Sequence, residues 1–112
     1  MLRVAIQRIH PDKEQRLRAW LAELNSRAAE VRETFRDETV RAEQAYIVAG
    51  QDGPLLVYVI EAGDLARGAK TFAESTHRID AEQKTVMREC LVGSLGLEPL
   101  YDVSLESAGG GQ

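Results

Sequence analysis

The chain opens with apolar side chains at every second position: Leu2, Val4 and Ile6. This two-residue period is that of a β-strand with one strongly apolar face. Pro11 ends the alternation and suits the first turn of a helix, because proline has no amide hydrogen to leave unpaired there. The pattern therefore predicts a first strand that is followed directly by a helix.

The next segment has apolar residues at intervals of three and four, which are Leu17, Leu21, Leu24, Ala28, Val31 and Phe35. This spacing belongs to one face of an α-helix, so it predicts a long amphipathic helix with limits near Asp12 and Arg36. A bend is expected at Asn25 and Ser26, because their side chains compete for backbone hydrogen bonds.

Two β-rich runs, residues 42–49 and 55–61, flank a segment that contains two glycines and a proline. Turn residues between two such runs predict an antiparallel hairpin. The second run has apolar side chains on both sides, with Leu55, Val57 and Val59 opposing Leu56, Tyr58 and Ile60. Both faces of the predicted sheet therefore need a cover.

A second helical region is predicted from the N-cap Asp64 to about Val92. We expect it to be broken, with Asp80 capping the second piece and Gln83 completing a capping box. A last strand is predicted after Pro99, where apolar residues again alternate with polar ones: Tyr101, Val103 and Leu105.

The predicted element order is β-α-β-β-α-β, which describes one ferredoxin-like α+β domain over residues 1–106 and a flexible glycine-rich tail over residues 107–112. Both helices of this arrangement cover the same face of a four-stranded antiparallel sheet. The second face would then expose a large apolar patch. A second copy of the chain is the economical cover, so we expect a homodimer.

Composition is that of an ordinary globular protein, with 44% hydrophobic and 29% charged residues among 112. The net charge of −4 and the absence of a basic cluster argue against a nucleic-acid partner. The longest apolar run, residues 55–60, is far shorter than the roughly 20 residues of a membrane helix, so no membrane partner is expected. A single cysteine and no signal peptide favour a reducing cytoplasm.

Candidate chemistry centres on three polar residues, His77, Glu43 and Asp80. A neutral imidazole beside two carboxylates can act as a general acid or base, with one acid fixing its tautomer. Asp80 and His77 also have structural interpretations, as a helix cap and as a hydrogen-bonded residue at a helix break. Glu43 needs a partner if its strand face is buried, and either Arg3 or Arg8 can supply one.

Four aromatic residues, Trp20, Tyr46, Tyr58 and Phe72, can line an aromatic ligand pocket or belong to the core. Cys90 lies among apolar helix positions and is expected to be a buried small hydrophobe. The two histidines and the scattered acids have no metal-ligand spacing, and no nucleotide-binding or serine-hydrolase motif occurs. We therefore expect no metal and no cofactor.

One further set of residues carries a family likeness: Trp20, Leu24, Asn25, Glu43, residues 75–80, Arg88, Glu89 and Cys90. With these residues the chain is similar to a family of small bacterial proteins defined as a domain of unknown function. In topology and length it resembles the dimeric α/β-barrel superfamily of antibiotic-biosynthesis monooxygenase-like and stress-responsive proteins. Many members of the smaller family have histidine where this chain has Gln83, which weighs against a shared metal or haem site.

The resemblance implies two alternative functions. In the first, the chain is a cofactor-independent monooxygenase, isomerase or cyclase that acts on a small hydrophobic metabolite in bacterial secondary metabolism. His77 would then be the acid or base, and Glu43 would orient it. In the second, the chain is a stress-responsive or ligand-binding dimer without catalysis. A common cavity for His77 and Glu43 would favour the first alternative.

Overall fold

The computed structural model of the chain describes residues 1–105. The strands in this part are β1 (Leu2–Ile9), β2 (Val40–Gly50), β3 (Gly53–Ala62) and β4 (Leu91–Leu95). The α-helices are α1 (Glu14–Ser26), α2 (Ala28–Glu38), α3 (Leu65–Glu74) and α4 (Arg78–Cys90), and a 3-10 turn, Pro11–Lys13, precedes α1. The tail predicted over residues 107–112 lies outside the described residues.

The strands form one antiparallel sheet in the order β2-β3-β1-β4. Strand β3 lies between its two partners, with Val59 opposite Val4 of β1 and Tyr58 opposite Ala45 of β2. Strands β2 and β3 form the predicted hairpin, whose turn is Gln51 and Asp52. Four antiparallel strands in this order, with helical pairs as crossovers, have the ferredoxin-like arrangement, so the predicted fold class is confirmed.

The core lies between one face of the sheet and the helices. Its buried members are Ile9, Leu17, Trp20, Leu56, Ile79, Val86 and Cys90. Leu17, Leu56 and Cys90 are fully enclosed, which confirms the structural interpretation of Cys90. Burial of an aliphatic side chain of this size stabilises the fold by about 1.5–3 kcal/mol.

The predicted bend in the first helix is confirmed. Helix α1 ends at Ser26, and Arg27 has a non-helical backbone conformation (φ −108°, ψ 31°) before α2 begins. The hydroxyl of Ser26 donates a hydrogen bond of 2.8 Å to the carbonyl oxygen of Glu23. This is the competition for backbone acceptors from which the bend was expected.

The prediction of a last strand after Pro99 is wrong. The fourth strand follows α4 without a loop, and it pairs with β1 through Leu91 opposite Ile9 and Leu95 opposite Ile6. Strand β4 thus takes the position beside β1 that was predicted for the segment after Pro99. The apolar residues of that segment do not join the sheet and are exposed: Tyr101, Val103 and Leu105.

The second helical region is broken as predicted, but the break lies earlier than Asp80. Asp64 caps α3 by accepting a hydrogen bond of 3.0 Å from the amide of Arg67, as predicted. Helix α4 begins at Arg78 with His77 at its N-cap, so the prediction that Asp80 is a cap is wrong. The amide of Asp80 already donates to the carbonyl oxygen of His77, which places Asp80 inside the first helical turn.

The other face of the sheet carries a second set of apolar side chains, as predicted from β3. They include Val4, Ile6, Val57 and Val59 on the central strands and Tyr46 and Val48 on β2. Among the described residues the helices pack on the opposite side, and Tyr46 is therefore 51% exposed. This surface, defined by those six residues, is called the open face below.

Gly68 is the position at which α3 packs against the end of α2. A Cβ atom at Gly68 would lie 2.6 Å from the carbonyl oxygen of Glu38. Because this oxygen belongs to the backbone, it could move away only if the end of α2 moved with it. We expect Gly68→Ala to lower the free energy of unfolding by about 1–3 kcal/mol, although alanine has the better helix propensity. Urea unfolding measures this change.

Gly63→Ala is the matched control for this test. A Cβ at Gly63 would be 3.8 Å from its nearest neighbour, Cβ of Thr39, which is an ordinary contact. Its urea midpoint should stay close to that of the wild type. A Gly68→Ala variant as stable as this control would contradict the packing argument.

Candidate functional site

A cavity of about 630 Å³ lies between the helix-facing side of the sheet and the helices. Its walls are largely apolar and include Leu56, Ile60, Phe35, Phe72 and Met87. The volume falls within the range of small-molecule sites in proteins, roughly 300–1,000 Å³. We refer to it as the main cavity.

Three carboxyl groups line the main cavity: those of Glu38 at the end of α2, Glu43 on β2 and Asp80 in the first turn of α4. Glu38 and Asp80 are only 5% and 6% exposed. Burial, followed by the negative charges of Asp80 and Glu43, raises the pKa of Glu38 to about 7. The site therefore holds a proton that ordinary surface acids have lost at neutral pH.

Asp80 has a carboxylate oxygen without a protein partner. Its Oδ2 atom is enclosed, and none of residues 1–105 donates a hydrogen bond to it. A buried acceptor without a donor costs about 1–3 kcal/mol, and more when it is charged. Asp80 lines the main cavity together with Glu38, and the carboxyl group of Glu38 can donate to it only while Glu38 is protonated.

A chain of hydrogen bonds holds Glu43 in place. The indole nitrogen of Trp20 donates to Oε1 of Gln83, and the amide nitrogen of Gln83 donates to the Tyr58 hydroxyl over 3.4 Å. The Tyr58 hydroxyl in turn donates to Oε1 of Glu43 over 2.5 Å. Burial raises the pKa of the Glu43 carboxyl, and the bond from Tyr58 partly opposes this rise.

Gln83 and Glu43 differ from their predicted roles. Gln83 bonds to Trp20 and Tyr58 and does not complete a capping box for Asp80. Among the described residues the hydrogen-bond partner of Glu43 is Tyr58, whereas Arg3 and Arg8 were the predicted ones. The reason is register, because Tyr58 neighbours Glu43 diagonally on the same sheet face.

The predicted catalytic residues do not share one cavity. Glu43 and Asp80 line the main cavity, but His77 lines a second, smaller cavity of about 240 Å³ at the surface. There, Nε2 of His77 lies 2.9 Å from Oδ2 of Asp37, and this hydrogen bond raises the pKa of the imidazole. Glu38 lines both cavities and so separates His77 from the ligand space.

The four aromatic candidates are divided among three environments. Tyr58 and Phe72 line the main cavity. Trp20 is a core residue that reaches the cavity only through its bond to Gln83. Tyr46 lies on the open face, on the other side of the sheet from the cavity.

The sequence reasoning missed Glu38, the acid with the most perturbed environment. It follows Arg36 and Asp37 in a charged helix end, which is typical of a solvated segment. One signal could have found it: Glu38 lies four residues after the buried Thr34 and seven after Val31, on the same helical face.

The profile of a family of unknown function, DUF6176, matches residues 2–107. The chain belongs to this family. The comparisons with curated proteins and with solved structures gave no match, so none supports the monooxygenase-like superfamily. The likeness to a domain of unknown function is confirmed, and the catalytic roles of His77, Glu43 and Asp80 stay predictions.

Residues 1–105 of this family member contain neither a metal-ligand cluster nor a helix that could span a membrane. In that part of the chain, no three His, Cys, Asp or Glu side chains form a group that could hold a metal ion. None of its helices combines the length and the apolar composition that a bilayer crossing requires.

Glu38 makes the stability of the protein depend on pH. In the folded chain its pKa is about 7, against an ordinary value of 4.5, so between these values the folded chain binds more protons than the unfolded one. The free energy of unfolding must therefore fall as the pH rises through this window. Glu38→Gln keeps the neutral form, and at pH 8 it should be more stable than the wild type by about 1–2 kcal/mol.

Urea unfolding at pH 5 and pH 8 measures this difference. Glu33→Gln, an exposed position on the same helix, is the control and should change neither value. An unchanged pH dependence in Glu38→Gln would show that Glu38 is not the group that holds the proton.

Proposed function

We propose that this chain is a cofactor-independent acid–base enzyme of the isomerase or cyclase type, which binds a small hydrophobic molecule in the main cavity and moves one proton with Glu38. The observation that carries the proposal is the position of Glu38, a buried carboxyl group on the wall of an apolar cavity beside two further acids. A general acid or base works best when its pKa is close to the ambient pH. The pKa of Glu38, about 7, meets this condition.

In this proposal the residues around Glu38 orient the ligand and return the proton to solvent. Glu43 is fixed by the bond from Tyr58, so it stays in one orientation while a ligand enters. Because Glu38 also lines the surface cavity, it has a second side from which to exchange its proton. The pair of His77 and Asp37 lies in that cavity, and in this proposal it returns the proton to solvent.

A second candidate function is binding without turnover. The observation that favours it is the hydrogen-bond chain through Gln83, which ties both Tyr58 and Glu43 to protein partners. Polar groups whose hydrogen bonds are already made within the protein can orient a ligand, but they are less free to transfer a proton to it. Glu38 is the group that distinguishes the two candidates, because only the enzyme needs it to move a proton.

Ring opening of 5-nitrobenzisoxazole tests the proposed base. The base removes the proton from the ring carbon, the N–O bond breaks, and the coloured cyanonitrophenolate is released, so no other reactant is required. We expect the wild type to catalyse this reaction with a kcat/KM that rises with pH around 7, as Glu38 ionises. Glu38→Gln should lower kcat/KM about 100-fold.

Glu33→Gln is again the control and should retain the wild-type rate. Equal rates for Glu38→Gln and the wild type would contradict the enzyme proposal. Binding of the benzisoxazole is followed separately by NMR titration. If it binds but neither the wild type nor the variants open the ring faster than buffer alone, the second candidate function, binding without turnover, is supported.

We also propose that the chain works as a homodimer through its open face. The six apolar residues of this face cover both central strands and β2, and several of them are more than 40% exposed. Soluble monomers seldom expose an apolar patch of more than a few hundred Å². Two such faces packed together would bury roughly 1,200 Å² or more, the area of a specific interface.

Val57→Asp tests the dimer, since it places a charge at the centre of the open face on β3. Sedimentation velocity at micromolar concentration should show a dimer for the wild type and a 12.4 kDa monomer for the variant. Gln51→Asp adds the same charge at the hairpin turn and should leave the dimer intact. A wild type that sediments as a monomer rules out the dimer, whether or not Val57→Asp folds.

A further inference from the structure

Within residues 1–105, the three acids of the main cavity form no ion pair with a basic side chain. Among residues 1–105, the ion pairs join other side chains, and none of them includes Glu38, Glu43 or Asp80. Asp80 is 6% exposed and lines the cavity, and its enclosed Oδ2 atom has no donor among these residues unless Glu38 is protonated. A buried charged acceptor normally has a donor, so the missing donor points to something that the cavity takes up.

Three basic residues also line the main cavity, but none of them neutralises the acids. Nζ of Lys84 donates to the carbonyl oxygen of Ala73 and lies 4.9 Å from the ring centre of Phe72. Arg88 contacts the Thr85 hydroxyl at 3.5 Å, and Arg3 is exposed on β1. The charges that act on Glu38 and Glu43 are those of other acids.

We infer that the ligand of the main cavity is a small hydrophobic amine, whose protonated nitrogen lies beside Asp80, Glu38 and Glu43 and whose apolar body lies against the cavity wall. This inference rests on the proposed function and adds the chemical class of the substrate. An ammonium group has three N–H donors, which suits a cavity lined by three carboxyl groups, and it can replace the proton of Glu38 as the donor to Asp80. A carboxylate ligand would meet only like charge at this position.

A metal ion fits the same acids less well. Hard cations require several oxygen ligands at about 2.0–2.6 Å, and no such group exists among the described residues. An ammonium group accepts longer distances of about 2.7–2.9 Å and leaves its carbon substituents in contact with the walls. Those walls include Leu56, Ile60 and Phe35. The cavity is therefore suited to an organic cation rather than to a metal ion.

Binding of an ammonium ion should release the proton of Glu38. The charged groups around this carboxyl are Asp80 of α4, Glu43 of β2 and Asp37 of its own helix, with Glu74 and His77 in the surface cavity. A cation beside Glu38 favours its ionised form against this negative surrounding. The ligand would thus generate the base that the proposed reaction needs.

Isothermal titration calorimetry with benzylamine, benzyl alcohol and benzoate tests the inference, because the three probes share one ring and differ in charge. Benzylamine should bind at least about tenfold more tightly than benzyl alcohol, and benzoate should not bind. Asp80→Asn should remove this preference, whereas Asp52→Asn, at the exposed hairpin turn, should keep it.

Proton release is measured on the wild type by repeating the benzylamine titration in buffers of different ionisation enthalpy. Close to one proton should leave at pH 6 and close to none at pH 8, because the pKa of Glu38 is about 7. Because this measurement uses only the wild type, it tests the inference even if Asp80→Asn fails to fold. Equal affinity for benzylamine and benzyl alcohol, or binding of benzylamine without proton release at pH 6, would overturn the inference.

The enzyme proposal and the amine inference are contradicted by different results. If Glu38→Gln abolishes ring opening of the benzisoxazole but the calorimetry shows no preference for benzylamine, the enzyme proposal stands and the amine inference is wrong. If benzylamine is preferred but Glu38→Gln leaves ring opening unchanged, the protein is an amine-binding protein and the enzyme proposal is wrong.

Discussion

The position of β3 between β1 and β2 is the constraint on which the other features depend. Leu56 on this strand closes the core, and Tyr58 and Ile60 form the floor of the main cavity on the same face. The pairing sets Glu43 opposite Ile60, diagonal to Tyr58. A register slip of one residue would turn Tyr58 to the open face and leave Glu43 without its donor.

The helix layer contributes both large apolar side chains, such as Phe35 and Phe72, and smaller or polar residues to the wall of the main cavity. The smaller or polar residues include Thr34, Glu38 and Gly68. The core residues Leu17, Trp20 and Val86 are not among those that line it. Protein interiors are otherwise close-packed, so a cavity of this size beside buried acids is the place where the proposed ligand would fit.

Local patterns predicted most of the fold, and contacts between distant segments decided most of the site. The two-residue period located β1 and the hairpin, and Ser26 located the helix bend, because these depend on neighbouring residues alone. Strand β4 was misplaced because an apolar run that continues directly from a helix does not show where pairing with β1 begins. Alternation did place Glu43 on the buried face, whereas the environment of Glu38 arises only when α2, α4 and β2 meet.

Hydrogen bonding distinguishes the environment of Glu43 from that of Glu38. Glu43 receives the Tyr58 hydroxyl, which stabilises its ionised form, and Gln83 and Trp20 hold that hydroxyl in place. Burial and the negative charges of Asp80 and Glu43 raise the pKa of Glu38, and no hydroxyl donor is among the causes that act on it. The network of Trp20, Gln83 and Tyr58 therefore opposes the rise in pKa at Glu43 and not at Glu38. Of these three acids, Glu38 is the one that lines both the main cavity and the surface cavity.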